Sequence, residues 1–196
     1  MARGNMNDRK PMVLILAGPN GSGKSTITQY FNIVGSYTNA DELVKERGIS
    51  NEEAALLVDA WRYESILKRE DFTFETVLSS GYKLDLIKKA KDEGYFVKCV
   101  FVLTVKSSIN VKRVESRVAA GGHNVDKDKI VSRYRKSLQN ITHLIELCDI
   151  LHVYDNTDEP YRIIRKHKDE DLTIYTNDYW TEEDIIKLIQ GTPTNR

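Results

Sequence analysis

This 196-residue sequence predicts an α/β fold, with a mostly parallel sheet carrying helices on both faces. Three observations predict it. A short apolar run, Met12 to Ala17, stops at Gly18-Pro19-Asn20-Gly21 and passes at once into a helical pattern, as a buried strand followed by a loop and a helix would. Further runs of strand chemistry then alternate with amphipathic stretches of ten or more residues. Connections of that length are crossovers, which make neighbouring strands parallel and cover the sheet.

Each element has its own signature. After the first strand, Ile27, Tyr30, Phe31 and Val34 fall at i, i+3, i+4 and i+7, so a helix is expected to end at Gly35. A second strand is expected to lead into Tyr37-Thr-Asn-Ala-Asp41-Glu42, followed by a helix through Arg47. Ser50 before Asn51-Glu52-Glu53 reads as an N-cap with acids in the first turn. Ala54, Leu57, Val58 and Trp61 supply the apolar stripe of a helix reaching about Arg69. Phe72 to Val77 is aromatic and β-branched, hence a strand.

A helix around Leu84, Ile87 and Ala90 ends at Gly94 and hands over to Tyr95–Leu103, the strongest strand pattern in the chain. A helix bearing Val111, Val114 and Val118 follows, then the break 119–124, then one long helix with Ile130, Tyr134, Leu138, Ile141 and Ile145 on one face. Asp149 to Tyr154 is a strand. Tyr161 to Arg165 and Leu172 to Thr176 form a polar-edged hairpin, and a closing helix runs from Thr181 to Gln190, with Gly191 as its stop. Tyr175 to Trp180 reads as core packing near the chain end.

The length suits one domain, residues 1–196, and 40% hydrophobic with 30% charged residues is globular composition. The 29 basic and 29 acidic residues cancel, so no net field draws the chain to nucleic acid or to an anionic membrane. Cys99 and Cys148 sit among apolar neighbours and read as buried thiols, not as a disulfide framework or a zinc site. The longest apolar run is far short of the roughly 20 residues of a membrane helix, so a cytoplasmic protein is expected.

The chemistry begins at Gly18-Pro-Asn-Gly-Ser-Gly23-Lys24-Ser25, which satisfies G-x-x-x-x-G-K-[ST] and is followed by Thr26. Gly18, Asn20, Gly21, Ser22 and Gly23 form a loop whose N–H groups can converge on phosphate oxygens. Lys24 can reach the β- and γ-phosphates, and the Ser25 hydroxyl can bind magnesium. A plain glycine turn needs neither Lys24 nor Ser25, so a P-loop NTPase fold with ATP and Mg2+ is expected. Asn-Lys-x-Asp, the base-reading segment of GTPases, is absent, as is the apolar run ending in Asp-Glu of larger ATP motors.

Two acids fall where strands should end on the loop's side of the sheet: Asp41, in Tyr37-Thr-Asn-Ala-Asp-Glu42, and Glu75, in Phe72-Thr-Phe-Glu-Thr76. Asp41 suits either proton abstraction from a substrate hydroxyl or the capping of its helix. Glu75 suits a magnesium-bound water, a substrate hydroxyl or merely a surface strand. Arg113, Arg117, Arg133 and Arg135 bracket Gly121-Gly122-His123. Two arginine-bearing helices joined by a glycine pair look like a lid over residues 113–135, able to compensate charge during phosphoryl transfer, although a charge run is also commonly a solvated face. His123 reads as a loop residue.

Taken together, the loop Gly18–Thr26, Asn39-Ala-Asp-Glu42, Phe74-Glu-Thr76, and Arg117 through Gly121-Gly-His123 to Arg133-Tyr134 resemble the zeta toxin family in order and kind, over roughly residues 11–157. That family consists of phosphate-loop kinases, whose best-known members phosphorylate the 3′-hydroxyl of UDP-N-acetylglucosamine. The resemblance implies Lys24 as the phosphate-loop lysine, Asp41 as catalytic base, Arg117 and Arg133 as closing arginines, and Glu75 with Thr76 near the substrate. It implies an ATP- and magnesium-dependent transfer to a hydroxyl of a small molecule, foremost a nucleotide sugar, and a protein antitoxin encoded elsewhere. A kinase of another metabolite and a nucleotide-gated binding module with slow ATP hydrolysis are the competing readings.

Overall fold

The computed structural model describes residues 9–122 and 124–192; His123 lies outside the described residues. The chain runs β1 (Met12–Ala17), α1 (Lys24–Thr28), β2 (Ser36–Thr38), α2 (Ala40–Arg47), α3 (Asn51–Lys68), β3 (Phe72–Thr76), α4 (Gly81–Asp92) and β4 (Phe96–Leu103). It continues as α5 (Ser107–Ala119), α6 (Lys127–Gln139), α7 (Ile141–Leu147), β5 (Ile150–Asp155), β6 (Tyr161–His167), β7 (Thr173–Ile174) and α8 (Glu182–Ile189). The strands form one sheet in the order β2-β3-β1-β4-β5-β6-β7. The first five are parallel and the last two antiparallel, so the expected hairpin extends a parallel sheet.

The register sets the site. Ala17 lies level with Thr76 and Phe101, and Leu103 with Asp155, so the loops that leave β1, β3, β4 and β5 emerge along one edge. Alternation divides the core. Val13, Ile15, Phe101 and Leu103 face a large apolar layer that includes Leu86, Tyr134, Leu138, Ile141 and Ile185, while Leu14, Leu16, Val100 and Val102 pack with Ile27. Each such aliphatic side chain contributes about 1.5–3 kcal/mol of burial, so the strand carrying the phosphate loop is fixed from both sides. Trp180 is fully buried, and Cys99 and Cys148 are free, buried thiols, as the sequence predicts.

The structure corrects three details. α1 stops at Thr28 instead of running to Gly35, and Tyr30 is exposed. The reason is a long-range bond pair: the Thr73 hydroxyl donates to the Val34 carbonyl at 2.8 Å and accepts from its N–H at 2.9 Å, drawing the segment onto β3. On α3 the buried side is Ala54, Val58, Asp59, Arg62, Ser65 and Ile66, whereas Leu57 and Trp61 are exposed, with the Arg47 guanidinium over the indole. Two buried charged residues thus displace the apolar stripe by about one residue. The long helix expected around Ile130 to Ile145 divides at Asn140, whose side chain donates to the Leu78 carbonyl at 2.9 Å.

Among the described residues no helix is long and apolar enough to cross a membrane.

Candidate active site

The phosphate loop is held by its neighbours at every turn. The Gly18 N–H donates to the Thr76 carbonyl at 3.2 Å, and Ser22 N–H to Pro19 at 3.1 Å. The buried Asn110 amide donates to the Asn20 carbonyl at 2.7 Å, and the buried Asn156 amide to the Ser22 carbonyl at 2.8 Å. Three loop positions, Gly18, Gly21 and Gly23, require glycine. Gly18 has φ +144°, and a Cβ there would lie 2.1 Å from the Val102 carbonyl oxygen; Gly23 has φ +81°, and a Cβ would lie 2.1 Å from the Asn156 amide. Gly21 also has positive φ. Gly23 is the N-cap of α1, so Lys24, Ser25 and Thr26 occupy its first turn. Ser25 and Thr26 are exposed, whereas Ser22 is buried.

Lys24 folds back over the loop, donating to the Gly18 carbonyl at 2.9 Å and the Pro19 carbonyl at 3.4 Å, and it lies 3.7 Å from a Glu75 carboxylate oxygen. Burial lowers its pKa below the ordinary lysine range. Glu75 and Asp41 oppose that shift by attraction, and Arg117 adds to it by repulsion. Of the predicted site residues, Glu75 thus lies beside Lys24, and Asp41 and Arg117 are near enough to act on the lysine charge.

Asn39, which follows β2, caps α2 by accepting the Asp41 N–H at 3.0 Å. Capping thus falls to Asn39, and Asp41 sits exposed in the first turn. The Asn39 amide also donates to the Tyr37 hydroxyl at 3.2 Å and to Glu42 and Glu75 at 3.4 Å. Tyr37 in turn donates to Glu75 at 3.3 Å. Burial raises the Tyr37 pKa, opposed by the Asn39 bond and aided by the Glu75 and Glu42 carboxylates, so the phenol stays a neutral donor. Glu75 is consequently shared between Lys24 and this cluster. The Thr76 hydroxyl accepts the Leu78 N–H at 3.0 Å, within a turn where Leu78 has φ +54°. The Ser137 hydroxyl, from α6, donates to the Val77 carbonyl at 2.7 Å.

The arginines separate. Arg133 reaches the Asn20 side chain at 3.4 Å, whereas Arg135 is exposed. Arg113 donates to the Thr157 carbonyl at 2.9 Å, tying α5 to the loop after β5. Gly121, with φ +86°, and the Gly122 N–H, which donates to the Arg117 carbonyl at 2.9 Å, close α5. A Cβ on Gly122 would sit 2.6 Å from Arg117 Cγ, so the glycine pair also makes room for that side chain. α5 and α6 pack on each other through Val111, Val114 and Ile130.

Sequence reasoning missed Asn110, the phenol of Tyr37 and the clamping role of Asn156, whose loop, Asp155-Asn156-Thr157, reads from the sequence as a neighbour of the adenine. Asn156 follows the last parallel strand, which is the one signal that points to it; nothing local marks Asn110. The residues present fit magnesium. Among the described residues no three His, Cys, Asp or Glu side chains cluster to hold a metal unaided. An exposed Ser25 hydroxyl in the first turn of α1, with Glu75 beside the neighbouring Lys24, is a donor set suited to an ion shared with phosphates.

The sequence profile described as zeta toxin matches residues 39–177, which include Asp41, Glu75, Arg117 and Arg133 and follow the phosphate loop. An uncharacterized protein of Haemophilus influenzae is 28% identical over 128 residues, covering 62% of this chain and 91% of its own length. A chain of the PezAT chromosomal toxin–antitoxin system of Streptococcus pneumoniae is similar in structure, with TM-score 0.58 and 17% identity over 96% of this chain and 87% of its own. The AvrRxo1-ORF1:AvrRxo1-ORF2 complex with sulphate ions gives TM-score 0.66 and 15% identity over 96% of this chain and 66% of its own. The same complex with ATP gives 0.65 and 14%, over 95% and 64%. The structural likenesses establish the fold, a mostly parallel sheet with helices around a phosphate loop. The profile match, over more than half of the sequence, establishes the family: this chain belongs to the zeta toxin family.

Proposed function

We propose that the chain transfers the γ-phosphate of ATP to a hydroxyl of a small molecule, foremost a nucleotide sugar such as UDP-N-acetylglucosamine. The observation that carries this reading is Lys24 folded over the phosphate loop beside Glu75, with Asp41 and Arg117 near enough to act on its charge. A phosphate-binding lysine and an arginine serve a polyanion; an exposed acid near them serves an alcohol. Family membership and the ATP bound by the AvrRxo1 neighbour support the donor half.

In the reaction, the acceptor oxygen attacks the γ-phosphorus as the bond to the β-bridging oxygen breaks, and ADP leaves. Asp41 takes the hydroxyl proton. Lys24 and the loop amides hold the phosphates, Ser25 and Glu75 would hold magnesium, and Arg117 with Arg133 compensates the charge spread over the moving group. Magnesium, when bound, neutralises phosphate charge. Glu75 and Thr76 orient the acceptor. We place the activity in one domain and in the cytoplasm. The PezAT neighbour belongs to a toxin–antitoxin system, which supports a protein antitoxin for this chain also.

The test is direct. Incubation with Mg-ATP and UDP-N-acetylglucosamine should yield ADP and a sugar nucleotide one phosphoryl group heavier by mass spectrometry. ATP turnover with no phosphorylated product from it or from other nucleotide sugars would refute the acceptor and retain the kinase. Asp41→Ala separates the binding-module reading, because a nucleotide-gated module would keep its function without that acid.

A further inference from the structure

A buried charge cluster beneath the acceptor side has no part in the reaction described above. Arg62, only 2% exposed, lies in the middle of α3. Its Nε donates to the Thr38 hydroxyl at 2.8 Å, Nη2 to the Thr38 carbonyl at 3.2 Å, and Nη1 to Asp59 at 2.9 Å. Its guanidinium lies 4.7 Å from the centroid of the Phe74 ring. Lys83, near the start of α4, completes the cluster by donating to both Asp59 oxygens at 2.5 and 2.7 Å.

The two residues that the guanidinium engages are the last turns of chain before the two acids. Thr38 ends β2, immediately before Asn39 and three residues before Asp41; Phe74 immediately precedes Glu75. Thr38 and Phe74 are also partners in the β2–β3 register. β2 has only three residues and lies at the edge of the sheet, so its ladder bonds alone anchor it weakly. A buried arginine is costly to desolvate unless its donors are used, and an apolar residue would fill the space at lower cost. What the arginine supplies is a rigid planar fork with fixed directions.

We infer that Arg62 is a positioning residue, which locks the end of β2 to β3 and so holds Asp41 and Glu75 at a fixed separation across the acceptor site. Asp59 and Lys83 hold the guanidinium in turn. The inference rests on the proposed transferase reading for its kinetic consequence, but its structural consequence stands apart from any acceptor.

Two pairs of variants test it in the full chain. Thr38→Val removes the hydroxyl acceptor and keeps the shape, while Thr38→Ser keeps the acceptor; Arg62→Met empties the fork, while Arg62→Lys keeps the charge without the fork. Amide hydrogen exchange should quicken in residues 39–43 and 75–78 of Thr38→Val and Arg62→Met, with the phosphate loop and Mg-ATP affinity unchanged. Thr38→Ser should behave as wild type, and Arg62→Lys should resemble Arg62→Met. With UDP-N-acetylglucosamine as acceptor, kcat should fall about 10- to 100-fold in the same variants, the loss expected of an ångström-scale misplacement.

Unchanged exchange in residues 39–43 and 75–78 overturns the inference, as does faster exchange spread evenly over the chain or full rescue by Arg62→Lys. Absence of transfer in the wild type would refute the acceptor reading and leave the exchange result to decide the positioning role.

Discussion

Replacing Gly18 by alanine probes the physical basis of the phosphate loop. A Cβ at this position would lie 2.1 Å from the Val102 carbonyl oxygen and 3.0 Å from the Ser22 hydroxyl. Val102 is a fully buried residue of the central strand β4 and cannot retreat, so the loop must move by roughly 1 Å to restore an ordinary contact. The backbone also has φ +144°, where an L side chain adds strain of about 1–3 kcal/mol. For a chain of this size that corresponds to a melting temperature lower by about 2 to 12 °C. A displacement of that size in the amides that cradle phosphate should weaken Mg-ATP binding by about 10²-fold. Calorimetric melting with and without Mg-ATP measures both, since a ligand that binds only the folded chain raises its apparent stability. Gly81→Ala is the control: Gly81 opens α4 with open space around its Cβ position and no positive φ. A Gly18→Ala variant that melts and binds ATP like Gly81→Ala would refute the close-approach argument.

Three other outcomes follow from the same geometry. Asp41→Asn should lower transfer by about 10²- to 10⁴-fold while leaving Mg-ATP affinity unchanged, as measured by product formation and titration calorimetry; an equal loss of both would contradict its role toward the acceptor. Because burial depresses the Lys24 pKa, the unfolded chain binds the extra proton between that value and 10.5, and stability from this group rises with pH through that window. Nucleotide binding needs the ammonium, so Mg-ATP affinity should fall as pH rises through the depressed pKa, with proton uptake on binding. A flat titration up to the ordinary lysine range would count against it. Finally, burial and mutual contact push the Cys99 thiol well up, so native protein should resist iodoacetamide and urea-unfolded protein should take two labels; rapid native labelling would show the pair to be accessible.

Much was legible in the sequence because its causes are local. The spacing of Gly18, Gly23, Lys24 and Ser25 is itself the geometry of a phosphate loop, and the apolar runs of β1 and β4 announce strands buried on both faces. The capping box of Ser50 and Glu53 forms within one turn, where chain neighbours suffice. The reading failed where a distant residue overruled a local pattern. Thr73, thirty-nine residues from Val34, ends α1 early, and Asn140 interrupts an otherwise continuous helical stripe to reach Leu78. The buried Arg62 turned α3 away from its expected face.

The sequence alone determined the kind of fold and the phosphate-binding chemistry, since both depend on periodicity and on residue types within a few positions of one another. Tertiary structure decided the rest. It set Glu75 beside Lys24, brought the Arg133 side chain to Asn20 of the loop and left Arg135 exposed, and clamped the loop with Asn110 and Asn156, because strand order and register, not spacing along the chain, determine which side chains share an edge of the sheet.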